Sequence, residues 1–210
     1  MGIAERKERE KQQRREDIIK SAEKVFYSLG LENATMDDVA AEAELSKGTL
    51  YLYFKNKEML HVEVARRAII LLNAFTSKAA EQKEKTIEKL GQMGLATIQF
   101  SKTHPDQMKA IQSLMVKEPG NVELSSGEVQ NIVYGDSSVG MLVQVVEEGI
   151  RNKELRSDIP APLIAHTLWM QMMSVIQFVN SEKSLIEILE LTPEKVFEIH
   201  FELVLNGIKS

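Results

Sequence analysis

Apolar residues recur along most of this chain at intervals of three and four, the spacing that lays them on one face of an α-helix, and no run alternates in the manner of a half-buried strand. Ile18, Ala22, Val25, Phe26 and Leu29 form a first stripe that stops at Gly30, a residue suited to the left-handed position after a helix. Thr35 with Asp38 has the spacing of a capping box, and Met36, Val39, Ala40 and Ala43 mark the inner side of a short second helix. Ser46 is a good N-cap for a third, which turns Leu50 and Phe54 inward. Three helices in about 55 residues, the last two joined by a tight turn, make a helix-turn-helix arrangement.

Asn56 begins a fourth helix at Lys57, whose stripe runs through Val64, Ala68, Leu71, Leu72 and Phe75; at 1.5 Å per residue it is a rod of ~30 Å. Thr86 to Phe100, Pro105 to Val116 and a segment from about Glu128 to Gly149 follow as helices. Pro160 and Pro162 open the next, and Thr192-Pro193 the last. Glu118 to Gly127 is the clearest loop. The expected class is all-α, with an N-terminal three-helix unit over residues 1–60 and a helical domain over 61–210. Ile159 to Ser181 carries no Asp, Glu, Lys or Arg, yet its two prolines, His166 and several amides fit a buried helix that also meets a partner subunit better than a membrane span.

Charge and composition narrow the choice. The chain has 210 residues, a formal net charge of −5 and no cysteine, which excludes a disulfide scaffold, a thiolate nucleophile and every Cys-based zinc site. The N-terminal residues are crowded with Lys, Arg and Glu and contain no apolar signal core, so a cytoplasmic location is expected. Residues 1–60 hold 11 basic and 12 acidic side chains, but Leu45 to Lys57 contains Lys47, Lys55 and Lys57 and no acid. A small positive face is therefore possible on an acidic protein. The arm Ala4 to Arg15 is also basic, and it suits a frayed helical extension as well as a DNA contact.

The run from Ser46 to Glu58 carries the most information. A capped helix N-terminus offers free N–H groups and partial positive charge to phosphate. Gly48 removes bulk at that end, Thr49 presents a methyl and a hydroxyl suited to a base edge, and Lys47 reaches a guanine or a phosphate. Tyr51, Tyr53, Lys55 and Lys57 supply hydroxyls and ammonium groups for backbone oxygens.

Here the sequence resembles the tetracycline-repressor (TetR) family of bacterial transcriptional regulators, over about residues 15–60, at Phe26, Gly30, Thr35, Val39-Ala40, Ser46 to Tyr51, Phe54 and Lys57 to Leu60. The resemblance implies a homodimer that reads a palindromic operator in double-stranded DNA and lets go when a small molecule fills a C-terminal pocket. It further implies base contacts from Lys47, Gly48 and Thr49 and phosphate contacts from Thr35, Ser46, Tyr53, Lys55 and Lys57, with Tyr51 suited to either or to burial. Arg14 and Arg15 would add phosphate or minor-groove contacts. Glu44 stands where the family usually has glycine, which puts a residue with a Cβ in the turn. Asp37 and Asp38 stand where members often bind phosphate, and helix N-terminal charge and capping is their expected role.

In the second domain, Met93, Met108, Met115, Met141, Met170, Met172 and Met173 with Phe100, Tyr134 and Trp169 suggest a roomy apolar cavity for a hydrophobic effector, with His104, Gln144, His166 or Gln171 as polar anchors. The last two helices are expected to form the subunit contact, through Val196, Phe197, His200, Val204 and Leu205 on the final one. No metal site, cofactor site or catalytic residue is expected: only His61 has a glutamate three residues before it, and neither a glycine-rich phosphate loop nor a nucleophile elbow occurs. The alternatives are a DNA-binding or architectural protein of the same fold without an effector, and a helical-bundle enzyme.

Overall fold

The computed structural model describes residues 2–81, 83–116, 138–181 and 183–210. Among them are α1 (Ile3–Leu29), α2 (Met36–Glu42), α3 (Lys47–Tyr53), α4 (Lys57–Ala80), α5 (Thr86–Thr103), α6 (Pro105–Val116), α7 (Ser138–Arg151), α8 (Ala161–Ser181), α9 (Lys183–Ile188) and α10 (Pro193–Ile208). The described residues contain no strand, only a single bridge that pairs Leu155 with Lys209. None of these helices is long and apolar enough to cross a membrane. The expected loop Glu118 to Gly127 and the first turns of the helix expected from Glu128 lie outside the described residues.

Two compact units make up the chain. One comprises Met1–Ala68 and Lys109–Glu123, the other Ile69–Met108 and Leu124–Ser210. The core of the first contains Ile18, Ala22, Val25 and Phe26 of α1, Val39 and Ala40 of α2, Leu50 of α3 and Val64 of α4 from the stripes read in the sequence, and adds Ile19 of α1, Leu60 and Ala65 of α4 and Ala110 of α6. Leu29 departs from that pattern. It ends α1 just before Gly30 turns the chain at φ +78°, and it stays 46% exposed.

Local chemistry fixes the boundaries around α3. Thr35 accepts from the Asp38 N–H at 3.2 Å while the Asp38 carboxylate accepts from the Thr35 N–H at 2.9 Å, so two orphan donors at the start of α2 satisfy each other's residues. After α2, Glu44 takes φ +53°, with its N–H donating to Ala41 at 3.1 Å and the Leu45 N–H donating to Ala40 at 2.9 Å. That is a Schellman closure built on a residue with a Cβ, which costs roughly 1–2 kcal/mol relative to glycine. Ser46 caps α3 by accepting from the Thr49 N–H at 3.1 Å, and Asn56 caps α4 by accepting from Met59 at 2.8 Å.

The second unit packs α5, α7, α8 and α10 around Leu90, Val146, Leu155, Ile164 and Ala165. Gly94 of α5 lets α10 approach closely, since a Cβ there would lie 2.2 Å from the Phe201 ring. Thr192 caps α10 by accepting from Lys195, and Pro193 occupies its first turn.

Candidate nucleic-acid interface and effector cavity

Leu50 and Phe54 pin α3 to the core of the first unit, at 0% and 2% exposure, and this leaves the opposite face outward. That face begins at the capped N-terminus with Lys47, Gly48 and Thr49 and continues through Tyr51, 48% exposed, and Leu52, 84% exposed. A Cβ at Gly48 would meet nothing nearer than Ser46 Oγ at 3.9 Å. Nothing inside the protein requires glycine at this place, and the clearance it leaves is on the outer surface. Leu52, two residues after Leu50, is about 200° around the helix from the buried stripe. Its outward position follows from helix phase alone, although neither capping nor charge marks it.

Most of the polar candidates are already engaged within the head. The Thr35 hydroxyl donates to Asp38 at 2.6 Å, and the hydroxyls of Ser46 and Thr49 lie 2.8 Å apart. The Lys47 ammonium pairs with Asp37, and that hydrogen bond and charge hold its pKa above the ordinary lysine value. A hydrogen bond from the Thr35 side chain, with help from the Thr35 backbone, holds the Asp38 carboxyl below its ordinary value, which suits the capping role. Tyr53 packs half-buried against the core, whereas Lys55 is exposed.

Lys57 corrects the sequence expectation. Its ammonium donates to the backbone oxygens of Leu31 at 2.8 Å, Ala34 at 3.0 Å and Glu32 at 3.3 Å. Three carbonyl acceptors fill the donor capacity of an ammonium, so Lys57 ties α4 to the α1–α2 connection instead of offering a charge to phosphate. Arg15 is likewise bound. It donates to Glu63 at 2.6 Å and sits over the Phe54 ring, 5.1 Å from its centroid. Burial alone would raise the Glu63 pKa, but hydrogen bonds from Arg15 and Arg66 outweigh it and the carboxyl lies below its ordinary value.

The second unit holds a cavity of about 50 Å³ between α5, α7, α8 and α10, lined by Leu90, Met93, Leu142, Trp169, Met172 and Phe201 among others. Its polar borders are Thr76, Thr97 and His200. Both hydroxyls are turned back into their own helices, Thr76 donating to Leu72 at 3.1 Å and Thr97 to Met93 at 2.8 Å. Burial depresses the His200 pKa, which favours the neutral ring. No charged side chain lines the cavity among the described residues.

Of the expected pocket residues, Met93, Trp169 and Met172 border this space. Phe100 and His104 stack on each other at 4.8 Å, with Phe75 edge-on at 5.5 and 5.1 Å. Met141 places its sulfur 3.3 Å from the Ser77 hydroxyl. Met108 and Met173 are buried away from the lining, Gln144 is exposed and His166 is half-buried. Tyr134 lies outside the described residues. The cavity is also narrow where the sequence suggested a roomy one, because a count of methionines and aromatics identifies core without saying which members border a void.

The final helix shows a similar shift. Phe197 is buried at 5%, Val196 is half-buried, and His200, Val204 and Leu205 line the cavity. The large apolar side chains left outward on α8 and α10 are Leu163, Met170, Leu203 and Ile199, at 58%, 49%, 70% and 39% exposure. Leu163, Met170 and Leu203 border an open groove together with Thr167, Gln171 and Ser174. Leu168, His200 and Val204 belong to both the groove and the cavity.

A helix-turn-helix head with a capped outward helix and a separate helical unit enclosing an apolar cavity define a transcriptional regulator of DNA-binding type. Residues 18–64 match the family described as bacterial regulatory proteins, tetR family. Over 148 residues the chain is 30% identical to the HTH-type transcriptional regulator YhgD of Bacillus subtilis, covering 68% of this chain and 72% of that protein. It belongs to the tetR family. It is also 26% identical over 157 residues to the transcriptional repressor KstR2 of Mycobacterium tuberculosis, covering 75% of this chain and 78% of the repressor. In fold it is similar to the Bacillus subtilis regulator FadR in complex with stearoyl-CoA, at a TM-score of 0.69 and 20% identity over 91% of this chain and 98% of that one. These relatives are transcription regulators and not enzymes.

Proposed function

We propose that the protein is a cytoplasmic homodimeric repressor that places α3 of each subunit in successive major grooves of a palindromic operator and releases it when a hydrophobic effector enters the cavity of the second unit. The observation that carries this is the outward face of α3. Its helix start is capped and rigid, its Gly48 is required by nothing in the fold, and Lys47, Thr49, Tyr51 and Leu52 stand clear of the core. Thr35, Ser46, Tyr53 and Lys55 are the flanking groups that would meet phosphates; Lys57 supports the head from within.

A dimer accounts for the apolar side chains that α8 and α10 leave in solvent. Two copies related by a twofold axis would cover Leu163, Met170 and Leu203 by packing α8 and α10 of both subunits as four helices. Two heads held in this way read half-sites roughly 34–36 Å apart.

The effector class follows from the cavity lining. Without a charged border, the buried part of the ligand is alkyl or aryl, and His200 offers it one neutral hydrogen-bonding ring. A volume of about 50 Å³ holds a few waters and no acyl chain. Entry must therefore move the walls, for which Met93 and Met172 are well suited because unbranched thioethers repack at little cost. Helix α4 contributes Leu60 and Val64 to the first core and Thr76 to the cavity border, so a wall displacement reaches the head through one continuous helix. An effector that binds the displaced arrangement better than the DNA-ready one is all that release requires. The complex with stearoyl-CoA reported for FadR makes a long-chain acyl thioester the first compound to test.

The test is fluorescence anisotropy on a duplex selected by the protein from a random library. Stearoyl-CoA should release the duplex and free CoA should not. A complex that ignores acyl thioesters, free fatty acids and sterols alike contradicts the effector assignment.

A further inference from the structure

The pairing of Lys47 with Asp37 sits on the outward face of α3 proposed to meet DNA, and the fold does not account for it. Asp38, not Asp37, completes the capping box of α2. Asp37 turns its carboxylate across to the first residue of α3 instead, and both side chains remain largely in solvent, Lys47 at 66% and Asp37 at 56% exposure. Exposed ion pairs add little to folding stability. The same pair is costly beside a duplex. It puts a carboxylate among phosphates, and it withholds a lysine whose counterion release would strengthen binding to any sequence.

We propose that Asp37 is a built-in competitor for DNA, which holds the Lys47 ammonium in the free protein and yields it only where the major groove offers partners to both side chains. This rests on α3 being the recognition helix. Lysine recognises the O6 and N7 acceptors of guanine, and a carboxylate accepts from the N4 amino group of cytosine. A site that presents both within reach separates the pair without leaving either charge unmatched. Random DNA presents mainly phosphates, so it must take Lys47 from Asp37 and gains only repulsion in return. Asp37 thus lowers non-specific binding more than specific binding, and so widens the ratio on which operator search depends.

Full-length wild-type protein, Asp37→Asn and Asp37→Ser are titrated by anisotropy against two probes over a range of salt. One probe is a random-sequence duplex, the other the best duplex selected from a random library by the wild type. On the random duplex both variants should bind on the order of three- to ten-fold tighter, with a log–log salt slope steeper by about 0.9. On the selected duplex they should gain less, and repeating the selection with Asp37→Asn should lose a cytosine preference. Random-duplex affinity unchanged within about two-fold, or equal weakening of both probes, overturns the proposal. A wild type that selects no sequence at all overturns the assignment of α3 itself, a distinct failure. Asp37 lies outside the core, so thermal midpoints near wild type are expected for both variants and confirm that binding, not folding, is being read.

Discussion

Beneath α3 the protein is closed: Ile18, Ile19, Ala22, Val39, Leu50, Leu60 and Val64 all have 0% exposure, and the polar groups above them are tied by short local hydrogen bonds. In the second unit α5, α7, α8 and α10 surround a void, its walls carry Met93, Met172 and Trp169, and apolar side chains are left outward on α8 and α10. Close packing in the head leaves the backbone of α3 little room to shift. An underfilled, methionine-lined interior can adopt more than one packing at similar free energy. The proposed division of labour between reading and sensing would thus coincide with a difference in packing.

Truncation exposes the contrast most strongly. Leu50→Ala should cost about 2–5 kcal/mol in denaturant unfolding, whereas Met172→Ala, in a wall that already borders a void and can repack, should cost no more than about 2 kcal/mol. Comparable losses at the two positions would erase the distinction. Next in size is Lys57→Ala, which leaves three carbonyls without their donor and should destabilise the head by about 1–3 kcal/mol. The salt slope of DNA binding by the folded variant should be unchanged. A slope shallower by about 0.9 would return Lys57 to the phosphate-contacting set.

Gly48→Ala sharpens the account because its two readouts have opposite signs. A helical alanine is favoured over glycine by about 0.5–1 kcal/mol and has room here, so unfolding should become harder while affinity for the selected duplex falls. The smallest effect concerns pH. Burial holds His200 below its ordinary pKa, so the unfolded chain takes up a proton first as pH falls. The stability involved is intact at neutral pH and declines below the unfolded value of about 6.5, until the folded ring also titrates. His200→Gln should reduce the fall in urea midpoint between about pH 7.5 and 5.5, and an unaltered fall would place that proton uptake elsewhere.

What the sequence disclosed was what is locally encoded. The capping box of Thr35 and Asp38, the caps at Ser46, Asn56 and Thr192, and the stripe from Ile18 to Phe26 depend on residues three or four apart, and all stand as read. The left-handed residue of a turn without glycine was also legible, since Glu44 takes the positive-φ conformation that its place demands. Long-range partners were not. Lys57 looked like one of three equivalent lysines until the carbonyls of Leu31, Glu32 and Ala34 were seen around it. Asp37 is helix-start charge as read, but its carboxylate also reaches Lys47, a partner ten residues away that local spacing does not disclose. Nor did the apolar periodicity of α10 say which residues border the cavity and which the open groove: Leu205 lines the cavity, Val204 lines both, and Leu203, on the groove and 70% exposed, was not among the expected residues.

The most direct test of the central claim is quantitative binding of the selected duplex by Lys47→Ala/Thr49→Ala beside wild type. If α3 reads bases from its N-terminal turn, the double variant should lose about 10- to 100-fold on the selected duplex, one or two contacts' worth of base discrimination, and far less on random DNA. Equal affinity of variant and wild type for the selected duplex would contradict the claim that this helix reads the operator.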